Sequence, residues 1–127
     1  MPLTFTPSRG QILICDFDMA RIPPEMRKVR RVVVVSNRSR NNSGRLIVVP
    51  FSATEPTTLL PSHVFFPAGS YQSFGIPAWA ICDCVAHVSF KRLDRVLSKG
   101  RYIVEMLTSD DMQRIEAGLS HALGMRT

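Results

Sequence analysis

The residues best suited to chemistry lie around one predicted hairpin. Arg30 precedes an apolar, β-branched run at 32–35, and Ser52 and Thr54 follow a second such run at 46–51. A guanidinium can hold two oxygens of a phosphate and stabilise developing negative charge, and a hydroxyl can donate a hydrogen bond to the same group. The pattern therefore predicts that the hairpin can bind and strain a phosphodiester. The alternative is that both hydroxyls bond to nearby backbone in a turn, which is commoner at strand ends.

Positive charge is concentrated in the same hairpin. The chain has 16 Lys and Arg residues, and those between positions 27 and 45 are Arg27, Lys28, Arg30, Arg31, Arg38, Arg40 and Arg45. Glu25 is the only acid close to them in sequence, and the formal net charge of the chain is +6. This balance favours a polyanionic partner. The cluster from 27 to 31 fits a solvated strand end equally well.

Asp83 and two histidines are further candidates. Asp83 lies among apolar residues on a predicted strand at 78–85. A carboxylate in such a position needs an ionic or hydrogen-bonding partner, or has a functional role. It can form an ion pair with an arginine, take a proton from a ribose hydroxyl or orient a cation. His63 and His87 are second choices for acid–base work, because imidazole titrates near neutrality.

The sequence predicts no metal site and no cofactor. Cys82 and Cys84 are one residue apart and have no second close pair, which is not the usual zinc spacing. There is no glycine-rich phosphate loop. Tyr71, Phe74 and Trp79 can stack on bases, although core packing explains them as well.

The pattern of apolar residues predicts a mainly β fold. Strands are expected at 11–17, 32–35, 46–51, 63–66, 78–85 and 101–105, with a loop at 18–28 and a polar hairpin tip at 37–44. Thr108 and the acids that follow it are typical of a helix start, and Gly124 of a helix end. We expect one domain spanning 1–127, built as a strongly bent antiparallel sheet or small barrel with a C-terminal helix.

The sequence also indicates the compartment. It has no basic and apolar leader and no apolar stretch of membrane-spanning length, so we expect a cytoplasmic protein without membrane contact. An odd number of cysteines, three, makes a disulfide framework improbable.

The order of these segments resembles the MazF/PemK family of toxin endoribonucleases. The matching segments are 9–12, a strand ending at Asp16 and Phe17, 25–30, the valine strand with Ser36 and Asn37, 48–52, Cys82-Asp83 and, further on, Arg92-Leu93. The resemblance spans most of the chain up to the terminal helix.

The resemblance implies a small SH3-like twisted barrel of the CcdB/PemK type that forms a homodimer and binds single-stranded RNA. It also implies metal-independent cleavage by the ribose 2′-hydroxyl, and an acidic antitoxin protein as partner. Arg30 matches the catalytic arginine of the family, Ser52 stands where the family has a threonine, and Asp83 matches an aspartate that some members use. The expected RNA contacts are Arg27, Lys28, Arg31, Arg38, Thr54 and His63.

The sequence departs from the family pattern at several positions. Arg31 replaces a proline, and Ile81 and Ala86 replace arginines that often flank the Cys-Asp pair. Two alternatives stay open: a toxin of the same fold that is not a nuclease, of the gyrase-poison type, and an RNA-binding protein that does not cleave.

Overall fold

The computed structural model describes residues 3–18, 22–25 and 28–125. Within them the chain forms nine strands and two helices. The strands are β1 Ile12–Asp16, β2 Val29–Val34, β3 Arg45–Ser52, β4 His63–Phe66, β5 Ala78–Ile81, β6 Ala86–Ser89, β7 Leu93–Asp94, β8 Val96–Ser98 and β9 Arg101–Ile103. The helices are α1 Arg38–Asn41 and α2 Ser109–Leu123. Neither α1 nor α2 has the length and hydropathy of a membrane-spanning helix.

Strand β3 is the centre of the sheet. The strand order is β4-β5-β3-β2-β1-β7, and β6 also pairs with β3, while β8 and β9 form a separate two-stranded sheet. The prediction of a mainly β fold with a C-terminal helix is confirmed. The hydrogen-bonded path has two ends, β4 and β7, so the sheet is open rather than a closed barrel.

The predicted strand at 78–85 is interrupted by a 3-10 turn at Cys82–Cys84. The cause is visible in the pairing of β3, where Val48 faces Ala86 and Phe51 faces Ala80. Strand β3 advances three residues between these pairs (51 − 48), whereas its neighbour advances six (86 − 80). The three-residue turn takes up the difference, and Asp83 therefore lies on a turn and not in mid-strand as expected.

Two apolar cores hold the sheet. One lies against α2 and includes Val49, Phe51, Phe66, Phe74 and Ile115. The other lies on the opposite side of β1, β2 and β3 and includes Leu13, Phe17, Val32, Val48 and Leu93. Alternate residues of β2 and β3 thus contribute to different cores, as the twofold period of a strand requires.

The hairpin tip between β2 and β3 is ordered by a buried amide. Asn41, at the end of α1, donates from Nδ2 to the carbonyl of Pro7 at 2.9 Å and to that of Ser36 at 3.2 Å. The Ser36 hydroxyl donates to Asn41 Oδ1 at 2.5 Å and accepts from the Ile47 amide at 3.0 Å. The sequence predicted a polar tip between the two strands, and within it the structure forms a helical turn fixed to the N-terminal segment.

Helix α2 begins and ends where the sequence predicts. The Thr108 side chain accepts a hydrogen bond from the Asp111 amide, and Gly124 adopts the left-handed conformation at φ 67°. Asp111 also accepts hydrogen bonds from Tyr71 at 2.6 Å and from Arg114 at 3.0 Å. Burial raises the pKa of Asp111, but these hydrogen bonds outweigh it and the pKa is lowered overall.

We predict that Gly118→Ala destabilises the protein. A Cβ at Gly118 would lie 2.7 Å from Cys82 Sγ and 3.3 Å from Val64 Cγ2, which is closer than van der Waals contact. Overpacking costs about 1–3 kcal/mol and the better helix propensity of alanine offsets about 1 kcal/mol of this, so we expect the free energy of unfolding to fall by up to about 2 kcal/mol. Urea denaturation measures this change.

The matched control is Gly75→Ala, because a Cβ at Gly75 meets nothing within 4 Å. The further substitution Cys82→Ala should restore part of the loss caused by Gly118→Ala. An alanine at 118 that leaves stability unchanged or raises it would contradict the close packing of α2.

Candidate nucleic-acid interface

Arg30 and Ser52 lie at the same end of the central hairpin and on the same face. Strand β2 pairs with β3 in a register that sets Val32 opposite Pro50. Continued by two residues, this register sets Arg30 opposite Ser52, and residues two apart on a strand share a face. Arg30 lines a cavity of about 250 Å³ with Arg31, Phe51 and Ala53, a lining that includes both neighbours of Ser52 but not Ser52 itself. The strand register therefore places Arg30 and Ser52 at the same end of the hairpin.

The Ser52 hydroxyl is bonded to the turn that follows it. Its Oγ accepts from the Thr54 amide at 3.1 Å and donates to the Thr54 carbonyl at 3.1 Å. This is the turn arrangement considered from sequence. One lone pair of Oγ remains, and the hydroxyl can donate to a phosphate only by rotating away from the Thr54 carbonyl. Thr54 itself is exposed beside it.

Asp83 and His63 form a second pair of groups. His63 Nε2 lies 3.6 Å from Asp83 Oδ1, and the Ser62 hydroxyl donates to the same oxygen at 3.3 Å. His63 Nδ1 accepts from the Leu60 amide at 3.1 Å, so a neutral imidazole carries its proton on Nε2, facing the carboxylate. The His63 side chain is 8% exposed, whereas that of Asp83 is 48% exposed, so the carboxylate remains accessible.

Cys84 lies within electrostatic reach of both Arg30 and Asp83. Burial raises the pKa of its thiol, the Asp83 carboxylate raises it further, and the Arg30 guanidinium lowers it. Cys84 therefore lies near Asp83, on the same turn, and near Arg30, at the end of the hairpin where Ser52 also lies. Sequence reasoning missed this, because it placed Asp83 and Cys84 next to each other on a continuous strand, where successive side chains point to opposite faces.

A row of side chains extends this face across the sheet. Ser52 pairs with Trp79 on β5, and Trp79 pairs with Phe65 on β4, so the three share one face. The Trp79 and Phe65 rings lie 5.2 Å apart and line a cleft of about 550 Å³ with His63. Sequence reasoning missed Phe65, although His63 and Phe65 are two apart on a predicted strand and therefore share a face.

The other aromatic candidates do not reach this face. Phe74 is fully buried, and the Tyr71 hydroxyl donates to Asp111. Trp79 is thus the one of the three predicted stacking residues that the structure leaves beside an open cleft.

Arg31 faces the core. Its guanidinium lies 4.6 Å from the centre of the Phe74 ring, and its Nη1 donates to the Ser73 carbonyl. Burial lowers the pKa of Arg31, and the carboxylate of Glu105 opposes the shift. Arg31 thus packs towards the core, while it and Arg30 both line the cavity of about 250 Å³ at this end of the hairpin.

The remaining basic candidates are divided along the hairpin. Lys28 is exposed at the same end as Arg30, where its amide donates to Asp18 Oδ1 at 2.6 Å. Arg38 begins α1 at the opposite end, beyond Val34, which is itself four residues or about 13 Å from Arg30 along β2 at the rise of an extended strand. Arg27 lies outside the described residues.

We predict that the Cys84 thiol reports the charges of Arg30 and Asp83. Arg30→Gln should raise the pKa of Cys84, and Asp83→Asn should lower it, because each removes one of the two opposing charges. The measurement is the pH dependence of alkylation at Cys84, read by peptide mass spectrometry. Cys15 and Cys82 are buried and should remain protected.

The control is Arg101→Gln, an exposed arginine on β9. It should leave the alkylation profile unchanged. Equal profiles for all three variants would mean that Arg30 and Asp83 do not converge on Cys84.

Comparison with known proteins identifies the family to which this chain belongs. The model of the PemK-like, MazF-like toxins of type II toxin-antitoxin systems matches residues 8–123. YifN of Escherichia coli (strain K12) is 32% identical over 138 residues, covering 90% of this chain and 91% of YifN.

Solved structures share the fold. MazF from Deinococcus radiodurans (Form-I) has a TM-score of 0.74 at 18% identity, covering 95% of this chain and 99% of that one. An endoribonuclease in complex with its cognate antitoxin, from Mycobacterial species, has a TM-score of 0.66 at 23% identity, covering 95% of this chain and 98% of that one. The chain belongs to the PemK-like, MazF-like family of type II toxins.

Proposed function

We propose that this protein is an endoribonuclease toxin that cleaves single-stranded RNA at specific short motifs without a metal ion. The observation that carries the proposal is the shared face of Arg30, Ser52 and Trp79, which aligns a guanidinium, a hydroxyl and a stacking ring. A phosphate held by the first two groups leaves the adjoining base within the aromatic cleft. Such an arrangement suits a single strand, because unpaired bases can be splayed out and stacked on aromatic side chains.

The proposed reaction is an internal transesterification. The ribose 2′-oxygen attacks the adjacent phosphorus, the bond from phosphorus to the 5′-oxygen breaks, and the products are a 2′,3′-cyclic phosphate and a 5′-hydroxyl. Asp83 takes the proton from the 2′-hydroxyl, or positions the RNA. Arg30 stabilises the charge on the pentavalent phosphorane and supplies a proton path to the departing 5′-oxygen, while Ser52 donates to a phosphate oxygen.

The neighbouring groups have supporting roles. His63 Nε2 faces Asp83 Oδ1 and orients this carboxylate towards the cleft that Phe65 and Trp79 line. Lys28 and Thr54 are exposed at the same end of the hairpin and contact phosphates beside the cleaved bond. We assign no RNA contact to Arg31, because its guanidinium is occupied in the core.

The proposal includes an acidic antitoxin and a second copy of the chain. A relative of similar fold is an endoribonuclease in complex with its cognate antitoxin. The formal charge of +6 gives this chain the electrostatic complement of an acidic segment. The antitoxin would cover the Arg30 face and exclude RNA. The toxin would act as a homodimer in the cytoplasm.

We predict that the pure protein cleaves single-stranded RNA in EDTA and that Arg30→Ala reduces the rate by about 10²–10³-fold, the loss typical of removing one group that stabilises a transition-state charge. Ser52→Ala should reduce the rate less, since Ser52 donates a single hydrogen bond. Mapping of the 5′- and 3′-ends tests both the chemistry and the sequence preference.

Arg101→Ala is the control, because this exposed arginine lies on β9, in the separate two-stranded sheet. Wild-type protein that binds RNA but leaves it intact would support the binding protein without cleavage. Equal cleavage by the wild type and Arg30→Ala would rule out the assigned mechanism.

We also predict that Trp79→Ala weakens RNA binding. Loss of one stacked base costs about 1–3 kcal/mol, or roughly a 5- to 150-fold rise in Kd. The measurement is fluorescence anisotropy with a 2′-O-methyl RNA, which cannot be cleaved. Trp79→Phe should retain most of the affinity, because it keeps a ring.

Leu97→Ala removes an exposed apolar side chain from β8 and serves as the control for general surface effects. If Trp79→Ala binds as tightly as wild type while remaining folded, bases do not stack in the cleft.

A further inference from the structure

A second basic cavity lies at the other end of the central hairpin. It has a volume of about 370 Å³, and the polar side chains lining it include Ser39, Arg40, Asn42, Ser43, Arg45 and His87. None of the residues that line it is acidic. We refer to it as the tip cavity.

The arginines of the tip have no acidic partner within the described part of the chain. The ion pairs among the described residues include those of Arg9, Arg95, Arg114 and His63, and none of these joins Arg38, Arg40 or Arg45 to a carboxylate. Three cations within eight residues repel one another, and this repulsion is relieved when an anion binds between them. The positive charge of the tip therefore favours the binding of an anion.

The walls of the tip cavity are fixed by hydrogen bonds that do not use the arginine side chains. The Ser43 hydroxyl donates to the Arg40 carbonyl at 3.1 Å, which closes the end of α1. Arg45 pairs with Ser89, and Ile47 pairs with His87, so Arg45 and His87 share a face of β3 and β6. Two cationic or ionisable groups thus extend from a paired sheet, and a third, Arg40, extends from the adjoining turn.

The set of donors is typical of a phosphate site. Guanidinium groups offer paired N–H donors that match phosphate oxygens, and serine hydroxyls and asparagine amides are common partners of nucleic-acid phosphates. The tip is also distinct from the Arg30 face. Arg45 and Ser52 are seven residues apart on β3, which corresponds to about 23 Å at the rise of an extended strand.

We propose that the tip cavity is a second phosphate-binding subsite that holds a backbone phosphate of RNA outside the cleaved segment. The choice of RNA as the source of the phosphate rests on the proposed function. The subsite increases the affinity for RNAs long enough to reach both ends of the hairpin and leaves the chemistry at Arg30 unchanged.

The test compares the double variant Arg40→Gln/Arg45→Gln with wild type, using non-cleavable 2′-O-methyl RNAs and fluorescence anisotropy. A long RNA should bind about 10-fold more weakly to the variant, and the salt slope of its binding should fall by about 0.7, the value for one phosphate contact on a single strand. An RNA of about 4 nucleotides, comparable to the shortest sites on small β folds, should bind both proteins equally.

The matched control is Arg101→Gln, which removes one exposed positive charge from β9. Arg40→Lys/Arg45→Lys keeps the charge but loses the paired donors, and should lie between the double glutamine variant and wild type. Unchanged affinity and salt slope for the double glutamine variant with long RNA would overturn the proposal.

A further measurement separates the possible sources of the anion. In NMR titrations, His87 resonances should shift on adding long RNA at concentrations where inorganic phosphate has no effect. Saturation by inorganic phosphate alone, or by polyglutamate with no response to RNA, would overturn the assignment to RNA. Failure to cleave RNA would remove the proposed function without affecting this binding result, so the two proposals can fail separately.

Discussion

The antiparallel pairing of β2 with β3 is the constraint on which the rest of the structure depends. It sets Val32 opposite Pro50, Val33 opposite Val49 and Val34 opposite Val48. A shift of one residue would transfer each side chain of β2 to the other face, exchanging Arg30 with Arg31. Val32 and Val33 are both fully buried, on opposite sides of the strand, so β2 contributes to both apolar cores.

The same pairing explains which parts of the molecule could be predicted from sequence. The hairpin and α2 have local signals: β-branched runs, a polar connection, and capping residues at Thr108 and Gly124. The turn at Cys82–Cys84 has none, because it arises from β3 changing partners along its length. A nonlocal cause of this kind leaves no periodic pattern in the segment that it interrupts. For that reason Asp83 was placed on a strand, although its proximity to His63 depends on the turn.

The cluster of basic residues shows a similar limit. Composition treats Arg30, Arg31 and Arg38 as one patch, but the fold gives each a different environment. Arg30 lies on the face of Ser52, Arg31 packs on Phe74, and Arg38 is at the far end of the hairpin. Strand alternation separates the first two, and strand length separates the third. Arg31 also shows that a half-buried guanidinium can serve the core, where an aromatic ring and backbone carbonyl compensate for the lost water.

The tight contact between Gly118 and Cys82 has a consequence for oxidative chemistry. Burial, with a contribution from Asp83, raises the pKa of Cys82 to about 12, so the sulfur remains a thiol and is a poor nucleophile. Conversion to a sulfenic or sulfinic acid would add oxygen atoms where helix α2 already lies against the sulfur. Peroxide would therefore oxidise Cys82 only after α2 had separated from the sheet. In the oxidised chain, α2 could not pack against the sheet again in the same way.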